Sequence, residues 1–294
     1  MINITTDLFA IKQTQIAQRR KELCEQYPSL WSAMISAWQA DDPKDAAWLT
    51  YSANYLLRTG GARWAIDPLA LYWRVPEAPR VDVERDLAGL SFVLLTHDHR
   101  DHLDLNLIRL LKDKPIRWVI PAFLQEKVIS ETGLALEKII TPRLMHPIKM
   151  DGVTVTPFEG QHLITYANGS CKGVPELGYM VECANKRWLF PGDTRVYDVS
   201  RFPKFGEVDL LFVHLWLGHG SAQVRTNGYM DAFCHFAADL HPRRVVITHL
   251  EELARDANNY IDDEHAQTAL DLFKENYPEI DCSVAHTGEM VDLQ

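Results

Sequence analysis

His97, His99, Asp101 and His102 fall within six consecutive positions, in the stretch Thr96-His97-Asp98-His99-Arg100-Asp101-His102-Leu103-Asp104. Imidazole and carboxylate together are the donor set that suits Zn²⁺ and its first-row neighbours. On an extended chain His97 and His99 point the same way and Asp101 continues that side, because side chains alternate with period two. His102 breaks the alternation as the chain turns toward the helical pattern Leu105–Leu111. The spacing therefore offers two ligands to one cation and two to a neighbouring one. The competing reading is a solvated, charged loop, since twelve histidines in 294 residues make isolated ones common. Four ligand types packed so densely argue against it.

The elements that must carry this stretch can be read around it. The apolar run Leu90-Ser91-Phe92-Val93-Leu94-Leu95 predicts a buried strand that delivers the cluster at its tip. Upstream, Ala47 to Leu57 and Arg63 to Ile66 read as paired strands around Gly60-Gly61, ending in Ile66-Asp67-Pro68. Downstream the chain alternates. Strands are expected at 117–120, 138–140, from 153, at 178–183, 187–190, 208–213, 243–248 and 282–285, and helices at 123–132, 229–240 and 262–276. Strand–helix units mixed with hairpins suit two packed sheets covered by helices. Residues 7–40 read as helix, with Asp7 as a cap, Leu8, Ile11, Ile16 and Leu23 as an apolar face, and Tyr27-Pro28 as an interruption before Leu30, Trp31, Met34, Ile35 and Trp38. This arm, 1–45, precedes a domain expected over 46–294. It is read as packing on the core, covering the site mouth or joining subunits into a homo-oligomer.

The stretch His97 to His102 resembles the HxHxDH signature of the metallo-β-lactamase superfamily of metal-dependent hydrolases. Further residues stand in that family's order. His162 follows Gly160-Gln161, Asp193 lies in Phe190-Pro191-Gly192-Asp193-Thr194, and His249 ends Val245-Val246-Ile247-Thr248-His249. The resemblance spans residues 47–290. It implies an α/β fold, an αββα sandwich with an N-terminal helical extension. It also implies His97, His99 and His162 around a first divalent metal, Asp101, His102 and His249 around a second, and Asp193 bridging them. Zn²⁺ is the foremost expectation, with Mn²⁺ or Fe²⁺ as alternatives. Two such ions share a hydroxide, the expected nucleophile, which Asp101 would orient. Asp67 is expected to orient a ligand from behind. The motif Thr-His-Asp-His-x-Asp-His-Leu-Asp with Gly-Asp-Thr-x-x-Tyr looks like the branch of L-ascorbate-6-phosphate lactonase and N-acyl-phosphatidylethanolamine-hydrolysing phospholipase D.

Other residues are candidates of lower rank. Arg195 and Tyr197 follow Asp193 by two and four, close enough to meet a substrate phosphate or donate a proton. His214 and His219, after the strand ending at Val213, are candidates for a general acid. Glu251 and Glu252 could orient His249, and Tyr72, Trp73 and Arg74 could wall a pocket, although packing is the commoner role. Catalytic duty is thus expected of Asp101, His219 and Tyr197.

The expected reaction is cleavage of a phosphodiester, or of a phosphate-bearing lactone or other ester, in a small or lipid-like substrate. The alternatives are a non-catalytic metal-binding assembly protein and a nucleic-acid phosphodiesterase. A net charge of −10 argues against the last, since neutralising phosphates needs a basic face. With 47% hydrophobic content the chain can bury one large core. Its five cysteines, odd in number and without CxxC spacing, read as reduced core thiols. There is no signal-peptide pattern and no membrane span, so a cytoplasmic location is expected.

Overall fold

In a computed structural model that describes residues 4–166, 168–222 and 228–294, strands collect into two seven-stranded sheets. The first contains Ala46–Leu49 (β1), Tyr55–Thr59 (β2), Ala62–Ile66 (β3), Phe92–Leu94 (β4), Arg117–Val119 (β5) and Ile139–Ile140 (β6). The second contains Ile148–Met150 (β7) and Val153–Glu159 (β8); a two-stranded ribbon, Ile164–Thr165 (β9) with Cys171–Lys172 (β10), intervenes. It continues with Leu177–Cys183 (β11), Lys186–Phe190 (β12), Val208–His214 (β13), Pro242–Thr248 (β14) and Asp281–Val284 (β15). Met290–Asp292 (β16) returns to the edge of the first sheet beside β1. The orders are β16-β1-β2-β3-β4-β5-β6 and β15-β14-β13-β12-β11-β8-β7.

The period-two alternation of the strands separates three layers of core. Tyr55, Leu57, Trp64, Ile66, Phe92 and Leu94 face Tyr179, Val181, Phe212 and Val246 between the sheets. The intervening residues Leu56, Ala65 and Val93 point outward to Ile4–Gln39 (α1), Leu105–Leu111 (α4) and Ala122–Thr132 (α5). On the other side Met180, Leu211 and Ile247 meet Tyr229–Asp239 (α6) and Asp263–Asn276 (α7). This is the expected αββα sandwich. Each large side chain removed from water in these layers contributes about 1.5–3 kcal/mol, which sets the register of both sheets.

Several expectations are corrected. Pro28 does not interrupt the arm: α1 runs unbroken for 36 residues. The missing amide of a proline normally breaks a helix, but the buried face of Leu23, Tyr27, Trp31 and Trp38 spans both sides of it. Trp31 donates to Asp86 at 2.8 Å, and the Tyr27 hydroxyl accepts from the Leu71 amide at 3.1 Å. Asp7 lies inside this helix rather than capping it; its side chain is outside the described residues. Ala47 to Leu57 is not one strand but two, joined by a buried turn in which the Thr50 amide donates to Asn54 O at 2.8 Å. The Gly60-Gly61 turn has φ of +56° and +82°, the geometry of a tight hairpin. The connection after Asp67 holds two short helices, Leu71–Arg74 (α2) and Val83–Asp86 (α3). Arg74 there pairs with Glu252 through two bonds of 2.8 Å, and Tyr72 and Trp73 pack against the core, so this segment is packing. Of the five thiols, Cys24, Cys183 and Cys234 are buried, whereas Cys282 is half-buried and Cys171 exposed.

β3 and β4 run parallel, as do β12, β13 and β14; β8 runs with β12 because both oppose β11. The ends of β3, β4, β8, β12, β13 and β14 therefore open onto one rim. Asp67, the histidine motif, His162, Asp193, His214 and His249 all stand there.

Candidate metal centre

The rim brings the seven predicted ligands together. Ligand atoms of His97, His99, His162 and Asp193 lie within 4.8 Å of one another, and so do those of Asp101, His102 and His249. Asp193 also groups with His102 and His214. Its Oδ2 stands 3.8 Å from His97 Nε2, while its Oδ1 stands 3.4 Å from His102 Nε2 and 3.7 Å from His249 Nε2. The carboxylate thus lies between the two sets.

Two tautomers follow from the hydrogen bonds. His97 Nδ1 lies 2.9 Å from Thr96 Oγ1 and 3.0 Å from Glu176 Oε1. The Thr96 hydroxyl donates its one proton to Asp67, so it accepts from His97, and the imidazole proton belongs on Nδ1. His102 Nδ1 stands 2.8 Å from Asp67 Oδ2 and likewise serves as the donor. The Nε2 atoms of both rings then present lone pairs to the cluster. Each is buried and has no hydrogen-bond partner among the described residues. Buried polar atoms are almost always paired, and two orphaned imidazole nitrogens beside a carboxylate are what a divalent cation would satisfy. The donor set fits. His162 Nε2 faces His99 Nδ1 at 3.1 Å, and its Nδ1 accepts from Arg195 Nε at 2.8 Å, which puts the neutral ring's proton on Nε2; His162 coordinates through Nε2 only once Arg195 releases Nδ1.

Burial shapes the charges. It pushes His97 well below the usual imidazole range, lowers His99, and takes His162 down to about 3. Neutral imidazole is the coordinating form. Burial alone would raise Asp101 and Asp193, yet both are held well below the carboxylate range. His249, His102 and Arg255 do this for Asp101; His249, His102 and His214 do it for Asp193. His102 is pushed up against its own burial by Asp193 and Asp67, an acidic pair that calls for positive charge at this point.

The backbone is fitted to these contacts. Asp67 and His249 have φ of +45° and +66°, where non-glycine residues are strained. The His249 amide is held there by Ser52 O at 2.6 Å, which gives the buried Thr50–Asn54 turn its purpose. Asp104, the last acid of the motif, caps α4 by accepting from the Leu107 amide at 2.8 Å, and burial raises it to about 7.

The other candidates separate. Arg195 lies over the Trp216 ring, 5.5 Å from its centroid, within bonding distance of His162. His214 has both ring nitrogens engaged, Nδ1 with Asp193 Oδ1 at 2.8 Å and Nε2 with Tyr55 OH at 3.0 Å, so it orients Asp193 rather than standing ready as an acid. The Tyr197 hydroxyl donates to Trp216 O among Phe233 and Phe236, and burial pushes it upward. His219 is exposed and edge-on to Trp216 at 5.2 Å. Neither Tyr197 nor His219 belongs to the ligand clusters. Glu251 bonds Arg19 of α1, and Glu252 bonds Arg74, so neither orients His249.

Two participants escaped the sequence reading. Glu176 precedes β11 with its side chain buried, accepts from the Asp193 amide at 2.8 Å and contacts His97. A Cβ at Gly160 would come within 2.6 Å of its Oε2, and one at Gly192 within 2.4 Å of its Oε1. Gly192, next to Asp193, clears space for this carboxyl. Arg255 reaches Asp101 Oδ2 at 3.1 Å and lies 4.7 Å over the same Trp216 ring that Arg195 covers.

Facing sheets that gather a His/Asp cluster at their shared rim define a metallo-hydrolase architecture. The chain belongs to the beta-lactamase superfamily: a family model described as "Beta-lactamase superfamily domain" matches residues 63–250. It is a metal-dependent hydrolase of that superfamily. An N-acyl-phosphatidylethanolamine-hydrolyzing phospholipase D of Caenorhabditis elegans is 29% identical over 135 residues, 42% of this chain. That match spans only 36% of the worm protein. A metal-dependent hydrolase of Pyrobaculum arsenaticum is 27% identical over 200 residues, 67% of this chain and 80% of the relative. Among solved structures, a metallo hydrolase from Ignicoccus hospitalis superposes with a TM-score of 0.61 at 17% identity, covering 85% of this chain and 99% of that one. YhfI of Bacillus subtilis, a metallo-beta-lactamase fold protein, gives 0.59 at 16% identity, covering 85% and 100%.

Proposed function

We propose that the chain hydrolyses a phosphate-bearing ester, foremost a phosphodiester, at a centre of two divalent cations with Zn²⁺ the first expectation. The observation that carries this reading is the pair Arg195 and Arg255 laid against one Trp216 ring beside the ligand cluster. Guanidinium groups match phosphate oxygens in geometry and charge, and stacking on an aromatic ring holds them ready. With His162 and Asp193 they border a small opening, Arg255 being paired there with Asp101 and Glu252, and on a chain of net charge −10 two such cations suit a small anionic group better than a nucleic-acid backbone. The worm relative, named as a phospholipase, supports the same bond class.

Two bound cations supply an activated water and an electrophile for the scissile group. His97, His99 and His162 would hold one, Asp101, His102 and His249 the other, with Asp193 between them. Asp101, gripped by Arg255, would orient the attacking water. His219, exposed beside Trp216, is the better placed of the two remaining proton donors, because the Tyr197 hydroxyl is committed to the Trp216 carbonyl.

Hydrolysis of bis-p-nitrophenyl phosphate by zinc-loaded protein tests this. Asp193→Ala is expected to remove turnover. For the phosphodiester, Arg255→Ala is expected to lower kcat/KM by on the order of tenfold or more beyond any loss on an uncharged lactone, the scale of one charge-assisted contact to phosphate, since the lactone loses only the grip on Asp101. Unchanged turnover in Asp193→Ala would displace the site assignment, and equal losses on both substrates would remove the phosphate role of Arg255.

A further inference from the structure

Arg195 decides which nitrogen of His162 carries the proton. Its Nε–H stands 2.8 Å from His162 Nδ1, and a guanidinium can only donate, so Nδ1 accepts and the neutral ring is protonated on Nε2. That proton faces His99 Nδ1 at 3.1 Å, which accepts it. Two nitrogens of the first ligand set are thereby spent on each other. For His162 to offer a lone pair from Nε2, its proton must stand on Nδ1. There it would meet the Arg195 N–H head-on, donor against donor.

The contact is built into the backbone. Gly173, with φ of +79°, lets the chain after β10 pack against the pair: a Cβ there would fall 2.0 Å from His162 O and 3.1 Å from Arg195 Nε. The Arg195 amide donates to Gln161 O at 2.9 Å, so the main chain is pinned and only the side chain has to move for His162 to be released. The guanidinium borders the small opening it shares with Asp193, Trp216 and Arg255. Arg255 is paired with Asp101 and Glu252, whereas Arg195 makes no ion pair among the described residues. Its charge meets only a neutral imidazole and the face of Trp216. An oxyanion in the opening would offer it opposite charge as well as acceptor atoms, which an imidazole does not.

We propose that Arg195 is a latch on His162: it holds the ring in the tautomer that cannot coordinate, and an oxyanion drawn into the opening releases it. Cation binding by His97, His99 and His162 is then coupled to anion binding at Arg195, and each raises the affinity of the other by the same factor. Arg195 thus has a positioning duty besides its contact with the anion, and the first ligand set becomes complete when the negative charge arrives. This rests on the metal reading of the cluster. From the phosphate-ester reading it takes only that an oxyanion meets Arg195.

Proton–nitrogen correlation spectra of the full chain, isotope-labelled in histidine and arginine, test the latch, because they show which ring nitrogen carries the proton. The His162 signals, assigned by their loss in His162→Gln, are expected to place it on Nε2 in metal-free protein and on Nδ1 once chelator-buffered Zn²⁺ is bound. The Arg195 Nε–H signal should shift at the same step. Inorganic phosphate should shift that signal in metal-free protein, and lower the free Zn²⁺ at the midpoint of the His162 change by at least about fivefold. Arg195→Met should lower the midpoint without phosphate and let the Nδ1-protonated ring appear in metal-free protein. Loss of a positive charge alone would tighten Zn²⁺ binding and leave the proton on Nε2. Two results overturn the latch: an Nδ1 proton in the metal-free wild type, or a metal-free Arg195→Met ring unchanged from it. If phosphate still shifts the Arg195 signal in either case, the phosphate-ester reading stands. A ring freed in Arg195→Met, with no response of the wild type to phosphate, upholds the hold on His162 and counts against the phosphate-ester reading instead.

Discussion

Glu176 carries a positioning duty that its place in the sequence conceals. One oxygen accepts from the Asp193 amide and stands 3.0 Å from His97 Nδ1, so a single carboxyl ties together two groups drawn from opposite sheets. Gly160 and Gly192 leave the space it fills. Removing such a partner behind a metal ligand typically costs 10- to 100-fold in metal affinity. Glu176→Ala is accordingly expected to weaken Zn²⁺ binding by about one to two orders of magnitude, read by competition with a chromogenic chelator. Glu176→Gln, which keeps an oxygen for the amide, should recover part of it; equal affinity in wild type and alanine variant would remove the role. The ligand-type residues were legible because coordination demands particular side chains at short spacing. Glu176 was not, since a lone acid in Val174-Pro175-Glu176-Leu177 resembles any loop. The available signal was a pair of glycines, each close in sequence to a ligand. Arg255, six residues beyond His249, carried none.

At the scale of elements, α1 is a clamp on the segment that carries His249 and Arg255. Arg19 makes bonds of 2.7 and 2.8 Å to Glu251, Arg20 donates to Leu253 O, and the Ala257 amide donates to Gln13. Lys12 pairs with Asp262, which also caps α7 and bonds His265. Against the upward push of burial, His265 and Lys12 bring Asp262 to about 2. A carboxyl lowered on folding contributes stability that is full above its unfolded value of about 4 and vanishes as pH falls through the folded one. Asp262→Asn keeps the cap, because asparagine caps about as well as aspartate, and removes only the charge. Urea unfolding should therefore show wild type more stable than Asp262→Asn near pH 6, with the gap closing as pH falls through about 2; a pH-independent gap would mean that Lys12 and His265 contribute nothing through charge. None of this clamp was readable beforehand. Period-two alternation announces which face of a strand is buried, and it located most strands. Pro28 read as a break because local rules carry no knowledge of the tertiary partners that hold α1 straight across it.

Over the whole molecule, the cluster is the seam between the sheets at their common rim. Asp67, His97 and His102 come from the ends of β3 and β4 in the first sheet, and His162, Asp193, His214 and His249 from the second. Four buried carboxyls, those of Asp67, Asp101, Glu176 and Asp193, converge there with the imidazoles of His97 and His102, whose Nε2 atoms have no hydrogen-bond partner among the described residues. A divalent cation bound across the seam would neutralise that charge, satisfy those nitrogens and link the two sheets in one step. The folded state alone assembles these ligands, so binding must appear as stability, by about 2.7 kcal/mol at a hundred times Kd. For a chain of 294 residues that is a rise in Tm of roughly 4 °C. Chelator-stripped protein should melt lower by that amount and recover on addition of Zn²⁺ or Mn²⁺. The metal-dependent part should disappear in Asp193→Ala, whereas Met290→Asp, on the edge strand β16 and outside the ligand clusters, should keep it in full. A melting temperature indifferent to both chelator and metal would mean that the seam holds no cation, and that the orphaned nitrogens of His97 and His102 need another partner.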